Sequence, residues 1–336
     1  MDKIDSIMLK YVSDVELFDI SLYSPISTMS RIILESRVPN FRNRIKNRFG
    51  LTNSFKLAYE FFSFLGPEYA YYFVERVNGG AIYLKYFKKN NQIALSYLDE
   101  DGSKKIYLPY GRDICDSFAL VHEMLHDMNL NSYNPSITRS LFTEYISIYG
   151  EYLLNEYVKN RYGVDFSINS KYTYNGCYIK ALNVDFQVAL VKKFLDRGHI
   201  SDYDVANIIN QYNPFYKGRL LEIYCGILAN NDLSIEFENR YIIAILLLFY
   251  TRDLVQEKRF DIDMFKFLNE NINDLYPEEV YSMLDLDVDD DYTLTLSQDS
   301  YQKLRKSYSK YMRWFYGYCC CWTYCGRENS YGNRTC

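Results

Sequence analysis

The feature that most constrains the local fold of this chain is a pair of histidines four residues apart. Residues 122–126 read His-Glu-Met-Leu-His, in a sequence that contains only three histidines. On an α-helix both imidazoles could reach one ion, because side chains at i and i+4 lie on one helical face. Apolar residues at helical spacing, with no Pro or Gly among them, predict that helix over residues 113–130.

The His-Glu-x-x-His pattern on a helix is typical of a catalytic zinc site. His122 and His126 would bind the ion through their imidazoles. Glu123 lies about 100° around the helix from His122, where its carboxylate could take a proton from water beside the metal. The alternative is that both histidines are ordinary core or surface residues, and the scarcity of histidine disfavours it.

A zinc site of this type needs a third protein ligand. His199, the remaining histidine, lies far along the chain in a turn. Glu144 is favoured because it lies on the next predicted helix, 136–160, after a loop that lets the two helices run antiparallel. Glu151 lies on the same helical face and is predicted to accept a hydrogen bond from a ligand histidine. The alternative for either glutamate is a solvent-facing position.

This arrangement resembles the zinc oligopeptidases of the thimet oligopeptidase and oligoendopeptidase F group, over about residues 95–230. In that group His-Glu-x-Gly-His is followed by a helix with the spacing Glu-x-x-Ser-x-x-x-Glu. The resemblance implies one Zn²⁺ and a gluzincin-like metallopeptidase. It implies that His122, His126 and Glu144 bind the zinc. It also implies that Glu123 is the general base and that Glu151 supports the site.

The family also places tyrosines downstream, where they stabilise the oxyanion of the reaction. Tyr216 and Tyr224 lie at about the right distance along the chain, and the resemblance implies this role for one of them. The expected histidine is absent, and Asn213 lies near its position. Two further departures are Leu125, where the family has Gly, and Asn129, where many members have His.

Residues 69–110 show a strand pattern, with aromatic and β-branched runs broken by Asn-Gly and Asp-Gly signals. The first predicted strand is residues 69–77, and Asp101-Gly102 is the predicted turn before the last one. They predict a small antiparallel meander before the His-Glu-x-x-His helix. In the gluzincins an edge strand aligns an extended peptide beside the metal, and residues 93–98 or 105–111 could do so by β-augmentation. The alternative is a plain sheet that covers the helical core.

The fold class predicted is therefore mainly α with a small antiparallel sheet. Four parts are predicted: helical residues 1–66, a catalytic core over 67–284, an acidic linker over 285–295, and a helix with a cysteine-rich tail over 296–336. Beyond residue 112 the helical patterns lie near 113–130, 136–160, 178–196, 202–212, 217–230, 236–254, 261–272 and 296–316.

The tail differs sharply from the rest of the chain. Its cysteines follow a basic, aromatic helix, which favours S-acylation and peripheral membrane contact at Cys319, Cys320, Cys321 and Cys325. A metal or redox cluster is a second possibility, although three adjacent cysteines space tetrahedral ligands poorly. Incidental thiols in a disordered tail are the third.

Composition and charge limit the classes of molecule that the chain is expected to bind. The net charge of −5 gives no basic excess for a phosphate backbone, so nucleic acid is not expected as a partner. No secretory signal is apparent, and the apolar run at residues 241–250 is too short to span a bilayer, so a cytoplasmic protein is expected. The predicted function is a zinc-dependent peptidase acting on an extended peptide or protein. The alternatives are an inactive metallopeptidase-like binding or regulatory protein and a zinc hydrolase of a non-peptide amide.

Overall fold

The computed structural model describes residues 2–14, 23–35, 49–87, 94–130, 137–164, 175–290 and 295–325. The fold is mainly helical with small sheets, as predicted. In chain order the elements are α1 (Lys3–Asp14), α2 (Tyr23–Leu34), α3 (Leu51–Leu65), α4 (Pro67–Asn78), β1 (Ile82–Tyr86), β2 (Leu95–Leu98), β3 (Lys104–Tyr110), α5 (Cys115–Asn129), α6 (Ile137–Tyr162), α7 (Asn175–Arg197), α8 (Asp202–Asn210), a 3₁₀ turn (Pro214–Tyr216), α9 (Lys217–Asn230), α10 (Ile235–Gln256), α11 (Ile262–Asn271), α12 (Pro277–Met283), β4 (Val288–Asp290), β5 (Thr295–Leu296) and α13 (Gln298–Cys325).

The helices beyond residue 112 largely match the predicted ranges. The two that carry the histidines and glutamates, α5 and α6, begin and end within two residues of the predicted bounds. The last helix, α13, extends to Cys325, beyond the predicted end. The short α12, with Pro277 at its first position, is an addition to the predicted set.

The predicted first strand, residues 69–77, is wrong. These residues form most of α4, which begins with Pro67 directly after Gly66. Pro at the first position is favourable because its fixed φ suits a helix and its missing N–H is not needed there. Tyr69 and Phe73, four residues apart, are buried on one face, and this helical spacing was hidden by the density of aromatic residues.

The sheet before α5 is mixed and not an antiparallel meander. Its strand order is β1-β3-β2, with β1 parallel and β2 antiparallel to β3. The predicted Asp101-Gly102 turn does connect β2 to β3. The central position goes to β3, which buries Ile106 and Leu108, while β1 and β2 are more exposed and form the edges.

The predicted acidic linker, 285–295, contains two short strands. β4 and β5 pair antiparallel, and residues 291–294 between them lie outside the described ranges. Leu286 and Leu296 are buried on either side of the acidic residues, so the segment has apolar anchors. Asp285 is 2.8 Å from the Arg259 guanidinium, which compensates its charge.

Helix α10 occupies the centre of the molecule and packs against α6, α7 and α13. It contains the apolar run 241–250, most of which is buried as a core helix. Residues from Ile4 in α1 to Tyr311 in α13 belong to one hydrophobic core. The division of the chain into four parts stays a prediction.

Among the described ranges, none of the helices combines the length and the apolar character that a bilayer-spanning segment requires. The four tail cysteines named above fall within α13, but their side chains lie outside the part of the chain that can be described. Their S-acylation and the associated membrane contact stay predictions.

Candidate metal centre

Helix α5 is held in place at both ends. Near its start, the buried Asp116 carboxylate accepts hydrogen bonds from the backbone N–H groups of residues 111–113. Near its end, the buried Asp127 carboxylate takes two hydrogen bonds from Arg76 of α4, at 2.7 and 3.0 Å, and one from the Tyr72 hydroxyl at 2.8 Å. These contacts fix the direction in which the two histidines project.

Helices α5 and α6 bring three potential ligands together. The Nε2 atoms of His122 and His126 lie 3.0 Å apart, and Glu144 Oε2 lies 3.6 Å from each. The potential ligand atoms of these three residues all lie within 4.8 Å of one another. His122 and Glu144 are buried, whereas the His126 side chain keeps 18% of its surface exposed. The cluster is therefore accessible from the side of His126.

The chemistry of these donors fits a zinc ion. With Zn–N bonds of about 2.0–2.1 Å and tetrahedral angles, two bound imidazole nitrogens would be roughly 3.3 Å apart, close to the observed spacing. Glu144 Oε2 is buried and has no hydrogen-bond partner among the described residues, which is costly for a carboxylate oxygen. His122, His126 and Glu144 could hold a metal, and a bound cation would satisfy that oxygen.

The electrostatics of the cluster favour a positive charge. Burial lowers the pKa of His122, but the carboxylates of Glu144 and Glu151 beside it outweigh this effect, and the pKa lies well above its usual value. Burial raises the pKa of Glu144, but the charges of His126 and His122 outweigh it and leave the pKa well below its usual value. A proton or a metal cation can supply the charge that these carboxylates stabilise.

Glu151 lies beside the first histidine, in the position predicted for it. Its Oε1 atom is 2.7 Å from His122 Nδ1. An imidazole whose Nδ1–H donates to a carboxylate keeps its Nε2 lone pair free for a metal, and its ring orientation is fixed. Glu151 itself is buried, so this contact also compensates its own desolvation.

Glu123, next to His122 in the sequence, is buried and has a partner in the sheet. The Ser96 hydroxyl of β2 lies 3.0 Å from Glu123 Oε2 and 2.6 Å from the Glu123 backbone oxygen. The structure thus brings all five predicted residues of the His-Glu-x-x-His and third-ligand set into one cluster. Ser96 is an addition that the sequence did not indicate.

Tyr241, in the second turn of α10, is a second addition. The carboxylates of Glu144 and Glu123 both act on its hydroxyl. Burial and these carboxylates raise its pKa above the usual value. The Lys180 ammonium lies 3.9 Å from the centre of its ring. With 36 tyrosines in the sequence, no pattern distinguished this one.

The three downstream candidates lie elsewhere. Tyr216 contacts Tyr178 of α7, with ring centres 4.9 Å apart. Tyr224 is half-buried, and burial raises its pKa, with smaller contributions from acidic residues of α1 and α8. His199 is exposed in the turn after α7 and lies outside the metal cluster. None of the contacts described for these three residues reaches the cluster, and the oxyanion role of Tyr216 or Tyr224 stays a prediction.

Two of the three departures from the family pattern, Leu125 and Asn129, have structural partners. Leu125 packs against Gly150 of α6: a Cβ atom at residue 150 would lie 2.1 Å from Leu125 Cδ1. Glycine on the facing helix therefore makes room for the leucine on α5. Asn129 donates to the Asn269 side chain of α11 at 2.9 Å and so ties the end of α5 to another helix. Glycine lowers the stability of a helix, so a glycine in the interior of a predicted helix is a sequence signal that another element packs closely there.

The fold resembles that of a solved protein. A candidate oligoendopeptidase F from Bacillus anthracis str. Ames superimposes with a TM-score of 0.54 and 10% sequence identity, over 93% of this chain and 56% of that chain. This chain thus spans little more than half the length of that protein. No family profile and no curated protein matches the sequence. At this identity the likeness shows a shared, mainly helical fold.

Proposed function

We propose that the chain is a zinc-dependent peptidase that hydrolyses extended peptides. The observation that carries the proposal is the convergence of His122, His126 and Glu144, with Glu123 held beside them and the side next to His126 open. The fold likeness to a candidate oligoendopeptidase F supports it. A buried carboxylate in the position of Glu123 is not needed for metal binding alone, so the arrangement favours catalysis over storage of the ion.

When bound, Zn²⁺ supplies Lewis acidity, which polarises a carbonyl and lowers the pKa of water. The Glu123 carboxylate takes the proton of the attacking water as the C–O bond forms, and it returns that proton to the amine nitrogen as the C–N bond breaks. Glu151 keeps His122 in one tautomer and orientation through its 2.7 Å contact. The Tyr241 hydroxyl interacts with Glu144 and is available to orient its carboxylate.

The sheet offers a docking place for an extended substrate. β3 is the central strand and is paired on both sides, so residues 105–111 are a poor site for a further strand. Within the described residues β2 is an edge strand, and its Ser96 contacts Glu123. Of the two segments considered for β-augmentation, 93–98 is therefore favoured, because a peptide paired with β2 would lie next to the catalytic base.

Metal analysis combined with peptide digestion tests the proposal. The wild-type protein should bind one zinc per chain, and His122→Ala and Glu144→Ala should lose it. Glu123→Gln should retain zinc and lose cleavage of a proteome-derived peptide library. His199→Ala, which removes the exposed histidine outside the cluster, is the matched control and should keep both zinc and cleavage.

The outcomes separate the function classes. A wild-type protein without zinc affinity would contradict the proposal altogether. Zinc binding without cleavage of any peptide pool would also contradict it, and would support a binding or regulatory protein with a peptidase-like fold. Cleavage that persists in Glu123→Gln would remove this residue from the mechanism.

A further inference from the structure

The position of Ser96 follows from the register of the sheet. Ser96 of β2 pairs with Ile106 of β3, and directly paired residues in antiparallel strands project from the same face. Ile106 is fully buried, so this face is the one that covers the helical core. Since β2 and β3 both pack against α5, the Ser96 hydroxyl is directed at that helix. It is thus a polar group on an otherwise core-facing surface, opposite Glu123.

The hydroxyl meets two acceptors of the same residue. Ser96 Oγ lies 2.6 Å from the Glu123 backbone oxygen and 3.0 Å from Glu123 Oε2. A serine has one proton to donate, so these two oxygens share it, and both distances restrain where the carboxylate can lie relative to its own backbone. Glu123 is buried and has several rotatable bonds, which makes such a restraint valuable for a group that must meet a proton at one point in space.

We propose that Ser96 is a positioning residue that holds Glu123 in place and connects it to β2, the strand on which the substrate docks. The inference rests on the proposed function. A peptide that pairs with the edge of β2 immobilises this strand, and with it the hydroxyl that holds the base. Part of the binding energy between the peptide and β2 then favours proton transfer by Glu123, so that pairing with β2 affects kcat as well as KM.

Kinetics of two substitutions test this role. Ser96→Ala should lower kcat about 10- to 100-fold and change KM less than about 2-fold, with one zinc per chain retained. Ser96→Thr keeps a hydroxyl and should retain most of the wild-type kcat. Ser103→Ala removes a hydroxyl from the turn of the same hairpin and is the matched control, with wild-type kinetics expected. An unchanged kcat in Ser96→Ala, or a loss of zinc together with a large fall in Tm, would overturn the proposal.

Crystal structures of the zinc-loaded wild type and Ser96→Ala give a readout that needs no turnover. The Glu123 carboxylate should leave its wild-type position, or occupy more than one, in the variant. A carboxylate that stays in place would contradict the role of Ser96 even if the wild type cleaves peptides. Conversely, a displaced carboxylate in a protein without peptidase activity would support the role of Ser96 and reject the proposed function, so the two failures are distinguishable.

Discussion

The hydroxyl of Tyr241 reaches Glu144 from a helix that carries none of the three potential ligands. Glu151 approaches His122 from α6, and Ser96 approaches Glu123 from β2. Side chains from α10, α6 and β2 therefore contact Glu144, His122 and Glu123, respectively. Partners of this kind orient the ligands of a metal, and their removal usually weakens metal binding or activity.

Replacing Tyr241 by Phe should lower zinc affinity about 10- to 100-fold, because Glu144 loses the hydroxyl that interacts with its carboxylate while the ring is kept. Competition against a chelating dye at neutral pH measures this change. Tyr250→Phe makes the same chemical change in a buried residue of the same helix and should bind zinc like the wild type. Equal affinities in the two variants would show that Tyr241 does not support the third ligand.

At the scale of elements, the seam between α5 and α6 depends on a pair of residues of complementary size. Leu125 occupies the space that a side chain at residue 150 would need. The two helices carry the ligands on this shared surface, so their separation sets the distance between the histidines and Glu144. A change in the seam should therefore affect both stability and metal binding.

Gly150→Ala should destabilise the protein by about 1–3 kcal/mol, because the added Cβ overlaps Leu125 in a closely packed core. In the Leu125→Ala background the overlap is gone, and the same change should become neutral or stabilising by up to about 1 kcal/mol through helix propensity. Urea denaturation of the four proteins in this double-mutant cycle measures the reversal.

Gly226→Ala in α9, where nothing lies within 4 Å of an added Cβ, should be neutral or stabilising in either background. Additive effects of the two changes would contradict this account of the seam.

Helix α8 provides a test of pH dependence away from the metal centre. Ser201 and Asp204 form a capping box, and the Arg197 guanidinium lies 3.0 Å from the Asp204 carboxylate. Hydrogen bonds with Ser201 are the main cause that lowers the pKa of Asp204 to about 2, from 3.8. Because the folded-state pKa is lowered, the carboxylate stabilises the fold above the unfolded-state pKa, and this contribution is lost as the pH falls from about 4 towards 2.

The Tm difference between the wild type and Asp204→Asn should therefore be constant above about pH 5 and shrink as the pH approaches 3. Thermal denaturation followed by circular dichroism measures it. Asp202→Asn changes an exposed acid of the same first turn and should show a smaller difference at neutral pH. A difference for Asp204→Asn that does not depend on pH would mean that its charge contributes nothing to the cap.

Much of the fold was accessible from the sequence because its signals are local. The apolar periodicity predicted most helices, and the spacing of His122, His126, Glu144 and Glu151 predicted the centre of the site. The strand predicted at residues 69–77 failed because dense aromatic residues satisfy both periodicities, and only packing against the core decides between them. The pairing of β1 with β3 is a non-local choice that no turn signal encodes.

The supporting residues of the site were inaccessible for a related reason. Ser96 acts through a register between two strands, and Tyr241 is brought to Glu144 by the packing of α10 on α6. Neither residue belongs to a motif. Gly150 did carry a signal, as a glycine inside a helix, but its partner Leu125 is known only from the three-dimensional contact.

For the whole molecule, zinc should act as a stabilising ligand, because the potential ligand residues lie on helices that belong to the hydrophobic core of the described residues. Free zinc at 100 times its Kd would add about 2.7 kcal/mol to the free energy of unfolding, which corresponds to a rise in Tm of a few degrees. Thermal denaturation with zinc and with a chelator measures the shift. His126→Ala should show no shift, and His199→Ala should match the wild type. A wild-type Tm that is insensitive to zinc would contradict a site within the core.

The ligand cluster has a consequence for the order in which the protein is made. His122 and Glu151 are separated by 29 positions, and Glu144 lies between them, so α5 and α6 together contain all three potential ligands and the partner of the first. Local contacts of this kind form early, and N-terminal parts of a chain emerge first during synthesis. We expect the growing chain to be able to capture zinc as soon as α6 has left the ribosome, long before Tyr241 exists. The ion would then act as a nucleus around which the later helices assemble.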